Sequence, residues 1–259
     1  MADAMYVAAT GMRAHQTEVD SISNNIANLN TVGYRGETVS FSALTSAMVA
    51  DAGELDSPAG IVAPQGEGTL AQLGLSTGAG ALKPTGDPLN IAIDGAGFLE
   101  VVREDGSLAY TRAGALRVNA EGLVTTLAGQ PLAAQLVIPT EATAIQILPD
   151  GRVFAQVGTN ASPVEVGQIE LASFVNTGAL TAVGQGLYLA SADAGQPVLA
   201  KPGENGLGTL KQGYLELSNV ELTDQMVALM IAQRAFEMNS RVFQVADQML
   251  SITNGLAKA

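Results

Sequence analysis

Apolar side chains recur in steps of three and four at both ends of this chain. Near the start, Met5, Ala8, Met12, His15, Val19, Ile22, Ile26 and Leu29 follow that rhythm, with His15 the polar member. This is the spacing of one helical face and of a heptad seam. The helix should stop between Asn28 and Gly33, where Asn, Thr and Gly favour a helix C-terminus and a turn.

The other end is more regular. Ala228, Ile231, Ala235, Met238, Val242, Val245, Met249 and Ile252 are apolar at every step, and a second row, Leu222, Leu229, Phe236, Phe243 and Leu250, repeats every seven residues beside them. An apolar face that wide requires more than one neighbour, so the terminal helices are expected to pair and to associate between subunits. Ser218 and Glu221 have capping-box spacing and predict a helix start near Asn219. At about 1.5 Å per residue such a helix runs about 50 Å.

Between the ends the pattern changes to short alternating runs. Leu89–Ile93, Phe98–Arg103 and Ile145–Leu148 each precede an Asp-Gly pair, at Asp94, Asp105 and Asp150, and Asp-Gly closes tight hairpins. Residues 51–87, dense in Gly and Pro, read as a long extended connection or loop. Composition agrees: of 29 glycines, Gly11 and Gly255 alone lie outside residues 33–213, and all 10 prolines lie between Pro58 and Pro202. Gly and Pro cost about 1 and about 3 kcal/mol in a helix interior, which permits long helices at the ends and favours turns and strands between them. The expected class is α+β, with long N- and C-terminal helices forming a coiled-coil layer, an extended connector and a β-rich central domain. The corresponding domains are 1–32 plus 219–259 (helical), 33–82 plus 211–218 (connector) and 83–210 (β-rich).

The charge of −13 disfavours nucleic acid and anionic membrane surfaces. No apolar run reaches the roughly 20 residues needed to span a bilayer, and the first residues lack the basic and apolar regions of a cleaved signal. Without Cys, and with His15 as the single His, disulfides, thiolate catalysis and multi-histidine metal sites are excluded. No phosphate loop or dinucleotide fingerprint occurs, and the Asp-Gly carboxylates read as turn residues. We therefore assign no catalytic, cofactor-binding or metal-binding residue and expect no enzyme. A glycosidase or a secreted β-rich adhesin or carbohydrate-binding module remain competing classes.

Four separated blocks carry a resemblance. Ser23-Asn24-Asn25-Ile26-Ala27-Asn28 followed by Thr31, Gly33, Tyr34 and Arg35; Pro88–Ile93 with Gly95, Gly97 and Phe98; Tyr110-Thr111-Arg112 with Gly114; and Gln212–Glu216 with Ser218-Asn219-Val220 and Gln233–Glu237 resemble, in order, the flagellar basal-body rod and hook proteins. Length and the run Val166–Asn176 are most similar to the distal rod branch; residues 51–80 match it poorly, which leaves a proximal rod protein or a divergent paralogue open. The resemblance implies a structural subunit polymerising into a hollow helical shaft that crosses the periplasm and transmits torque. It also implies export by the flagellar type III apparatus without a cleaved signal peptide. Implied partners are further copies, other rod proteins and the hook protein, the surrounding bushing rings and the export apparatus, with no membrane insertion. The expected assembly interface comprises Val19, Ile22, Asn24, Asn25, Ile26, Asn28, Leu29, Leu229, Ile231, Phe236, Met238, Val242, Phe243, Val245, Met249, Leu250 and Ile252, with Ser218 and Glu221 as the helix cap.

Overall fold

A computed structural model describes residues 2–44, 68–158 and 162–256. The first part of the predicted 51–87 connection, residues 51–67, therefore lies outside the described residues; the remainder contains strands Gly68–Leu75 and Leu82–Pro84. The chain forms two compact units.

The first unit comprises residues 1–27, 37–74 and 221–259. Helix α1 spans Ala2–Ala27 and helix α2 spans Leu222–Leu256. Helix α1 ends where Asn28 begins a turn, Thr31 N–H donating to the Asn28 carbonyl at 3.0 Å. The two helices run antiparallel, with Asn25 Nδ2 donating to Gln225 Oε1 at 3.1 Å at one level and Gly11 facing Asn239 at another. Strand Glu37–Leu44 pairs with Gly68–Leu75 in a two-stranded ribbon. Its edge is tied to α1 by Asn25, whose side chain accepts from Glu37 N–H and donates to the Glu37 carbonyl, both at 2.8 Å. Both helices form, and the α+β class stands.

The coiled-coil layer does not form. The heptad seam of α2 faces away from α1: Ile231 is 62% exposed, Met238 67%, Val242 50%, Val245 51%, Met249 52% and Ile252 64%. The stripe turned inward is Gln225, Ala232, Asn239 and Ala246, each seven residues from the last, with Ala232 and Ala246 buried. On α1 the buried positions include Ala8, Ala14, Ser21, Ile22 and Asn25. Small and polar side chains thus set the contact, and a Cβ added at Gly11 would stand 2.8 Å from Asn239 Nδ2. Periodicity correctly groups residues onto faces, but here backbone closeness decides which face is covered.

The second unit comprises residues 28–36 and 75–220. Its centre is a six-stranded antiparallel sheet in the spatial order Thr181–Gly184, Leu187–Leu189, Leu108–Thr111, Phe98–Val102, Leu171–Ser173 and Val198–Ala200. Successive side chains on a strand point to opposite faces. Leu99, Val101, Ala109, Leu171 and Leu187 accordingly enter one core, and Phe98, Tyr110, Ala172 and Tyr188 enter another. In the second core Phe98 meets Phe174 and Tyr188 edge-on, with centroids 6.1 and 6.0 Å apart. A three-stranded sheet, Ala142–Ile147, Arg152–Val157 and Val164–Gln168, flanks the first core.

Two Asp-Gly pairs close hairpins as expected. Asp105 accepts from Ser107 N–H at 2.9 Å between paired strands, and Asp150 from Arg152 N–H at 3.2 Å. Asp94-Gly95 does not: its strand, Ile91–Asp94, pairs with Thr209–Gln212 far along the chain, and Gly95 crosses closely over Gly208. Asp94 instead pairs with exposed Lys211 at 2.7 Å.

Gly11→Leu should wedge the helices apart. Overpacking costs roughly 1–3 kcal/mol, so helical circular dichroism from the terminal segments should melt before the β signal in this variant. Co-melting of both signals at the parent temperature would contradict the close approach.

Candidate assembly interface and a buried charge cluster

The expected interface residues fall into two groups. On α1, Ile22 and Asn25 are buried, Val19 and Ile26 are half-buried, and Asn24 is exposed. Half-buried Leu29 and Asn28 lie in the turn beyond the helix, where Asn28 Oδ1 accepts from Thr31 Oγ1 at 3.1 Å. On α2, Leu229 and Phe243 are half-buried, whereas Ile231, Phe236, Met238, Val242, Val245, Met249 and Ile252 are exposed; the Leu250 side chain lies outside the described residues. Ile231, Met238 and Val245 each immediately precede a member of the inward stripe, so they sit about 100° around the helix from it. Val242, Met249 and Ile252 extend the same flank, and Val227 begins it at 47% exposed. Met226 and Met230, 55% and 54% exposed, add apolar surface that the heptad reading missed. Their signal was present as large apolar residues next to, rather than on, the chosen seam.

The expected cap works differently from a capping box. Helix α2 starts at Leu222, and the Glu221 carbonyl accepts from Gln225 N–H at 3.1 Å. Ser218 Oγ accepts from Val220 N–H at 3.3 Å, a local turn before the helix. His15 bonds Glu18 through Nδ1 at 2.9 Å and lies against Phe41, centroids 5.5 Å apart.

The second unit contains a cluster that spacing alone did not reveal. Glu216, 1% exposed, joins Arg35 Nη2 at 2.9 Å and Arg112 Nη1 at 3.2 Å. Its Oε1 also accepts from Gly80 N–H at 3.0 Å. Arg35 Nη1 donates to the Thr77 carbonyl at 3.0 Å, and Arg112 Nη2 donates to that of Gly95 at 2.7 Å. The Arg112 guanidinium lies 5.3 Å from the Phe98 ring centroid. Burial pulls Arg112 down to about 10, with Glu216 pulling the other way. The three charged residues come from the start, middle and end of the chain, and two local devices align them. Gly33, at φ +68, lets the turn approach the Arg112 backbone, where a Cβ would stand 2.4 Å from the Arg112 carbonyl carbon. Asn219 Oδ1 accepts from Gly36 N–H at 2.7 Å, fixing the residue after Arg35.

Among the described residues no group of three or more His, Cys, Asp or Glu side chains could hold a metal ion, and no helix is long and apolar enough to cross a membrane. The geometry is that of a braced β body with a helix pair bearing an apolar flank.

Comparison with known proteins gives the same direction. Three family models match: a flagella basal body rod protein model over residues 5–35, the flagellar hook protein FlgE/F/G D1 domain over 92–155, and the flagellar basal body rod FlgEFG protein C-terminal model over 211–256. The chain is 40% identical to a flagellar basal-body rod protein FlgG of Caulobacter vibrioides, covering 98% of both chains. It is 34% identical to that of Borreliella burgdorferi over 100% of both, and 36% identical to that of Bacillus subtilis over 96% and 97%.

Glu216→Gln should destabilise the β body by about 3–5 kcal/mol, because it removes the anion between two buried guanidiniums. Denaturant unfolding followed by tyrosine fluorescence measures this; a loss below about 1 kcal/mol would show that the two guanidiniums do not depend on Glu216 as their counter-charge.

Proposed function

The chain belongs to the FlgG family of flagellar basal-body rod proteins and is a structural subunit of the rod; on that premise, we propose how it assembles. The exposed flank of α2 seats against the terminal helices of neighbouring copies, forming the inner layer of a hollow helical shaft. The observation that carries this reading is the run Val227, Ile231, Met238, Val242, Val245, Met249 and Ile252, large apolar side chains each 47–67% exposed along one helix flank. Contiguous exposed apolar surface of this kind marks an interaction site. Burying each such side chain contributes roughly 1.5–3 kcal/mol before association costs. A contact between different patches of identical subunits generates a helical filament when its rotation does not close a ring.

In this reading residues 1–32 and 219–259 form the axial helical layer, 33–82 with 211–218 a connector, and 83–210 the outer β domain. The shaft occupies the distal rod, crosses the periplasm and transmits torque. It meets other rod proteins, the hook protein and the surrounding bushing rings, after export by the flagellar type III apparatus without signal cleavage. Family membership supports these roles. The expected interface residues of α1, Val19, Asn24 and Ile26, belong to the receiving surface.

An Ile231→Asp, Met238→Asp double variant tests the assignment. The exposed positions predict a monomer melting within about 0.5 kcal/mol of the parent, since surface substitutions cost little. They also predict loss of polymer in sedimentation and electron microscopy at concentrations where the parent forms tubes. Tubes formed equally by the variant would overturn the assigned flank.

A further inference from the structure

Two guanidinium groups against one carboxylate leave the Arg35–Glu216–Arg112 cluster with one positive charge in excess, and the arginines' ion pairs among the described residues are both with Glu216. Arg35 and Arg112 are 3% and 5% exposed, and the buried Nε atom of each lacks a hydrogen-bond partner among the described residues. A buried charge without its counter-charge is costly, as is each unsatisfied donor. Both arginines line a cleft of about 240 Å³, whose wall also includes Phe98, Thr77, Thr177 and Ala79. Leu75, Ala79, Ala96 and Phe98 make much of the wall apolar, while Ser76, Thr77 and Thr177 set hydroxyl groups beside the two guanidiniums, so a compact anion would find both donors and excess positive charge there.

We propose that this cleft binds a carboxylate, and that in the assembled rod an acidic side chain of a second copy of the chain supplies it. The second copy follows from charge. The chain carries 25 acidic against 12 basic side chains, so a neighbouring copy presents chiefly carboxylates. Copies of charge −13 also repel one another. A cleft with excess positive charge that accepts a neighbour's carboxylate converts part of that repulsion into a specific contact, and charge-assisted bonds to guanidinium favour it. The identity of the supplying copy rests on the rod reading above; the anion preference of the cleft does not.

The test uses the full chain labelled with 15N-arginine. Sodium acetate is titrated into the dilute monomer in low-salt buffer, following the arginine Nε–H resonances. Saturable shifts confined to Arg35 and Arg112 are expected. In Ala79→Glu the new carboxylate should occupy the cleft, so that acetate shifts neither signal, while Ala79→Gln behaves as the parent. The second arm measures the concentration needed for polymerisation. Ala79→Glu should raise it by about tenfold, equivalent to losing one good charge-assisted contact, and Ala79→Gln should leave it unchanged. Unmoved Arg35 and Arg112 signals in acetate, with Ala79→Glu polymerising as the parent, would overturn the proposal. Acetate shifts with unimpaired assembly of Ala79→Glu would overturn the second copy as the source and assign the cleft to a free anion. Because the acetate arm needs no polymer, failure of the parent to polymerise would count against the rod reading alone.

Discussion

Glu216 lies within the β body, beside residues 33–35 of the same unit. The backbone around it is laced to the segment that follows α1: Gly33 N–H donates to the Glu216 carbonyl at 2.8 Å, and Asn219 N–H to that of Tyr34 at 3.4 Å. Its carboxylate then joins Arg35 from that segment to Arg112 at the end of strand Leu108–Thr111. Buried ion pairs gain little over a well-packed apolar core, yet breaking one is expensive. The cluster therefore acts less as a source of stability than as a selector of one register, in which residues 33–36, 112 and 216–219 meet in a single arrangement. The pairing of Ile91–Asp94 with Thr209–Gln212 and of Leu82–Pro84 with Tyr214–Glu216 continues that register along the chain's two strands.

The helical unit follows a different logic, in which side-chain size is segregated around α2. Alanine, asparagine and glutamine occupy the stripe against α1, and the large apolar residues occupy the flank beside it. Placing Ile231 or Met238 on the inner stripe would hold the helix backbones farther apart, whereas Gly11 and Ala232 let them approach. The large residues are thereby left for a partner. In a monomer such a flank is a solubility liability, and in a rod subunit it is the assembly surface, which is how we read it.

Much of this was legible from residue order. Gly and Pro avoidance marked both helices, and alternation with Asp105-Gly106 and Asp150-Gly151 marked true hairpins. The coiled-coil expectation failed because heptad spacing identifies a face without saying which neighbour covers it; Ala232, Asn239 and Ala246 lie one position along and carry no large apolar side chain to mark them. Asp94-Gly95 failed because a local turn signal cannot report that its strand pairs more than a hundred residues away. The charge cluster was invisible for the same reason: Arg35, Arg112 and Glu216 stood in separate blocks, and a buried charge looks like any other charge until the chain closes around it.

The central claim is that the α2 flank is open in the free subunit and covered in the rod. Methionine makes this measurable, because Met226, Met230, Met238 and Met249 are 52–67% exposed and thioethers oxidise according to access. Brief peroxide treatment followed by peptide mass spectrometry, on dilute monomer and on polymer, reads each one. The account predicts rapid sulfoxide formation at Met238 and Met249 in the monomer and strong protection of both in the polymer. Equal oxidation of these two residues in both states would contradict it.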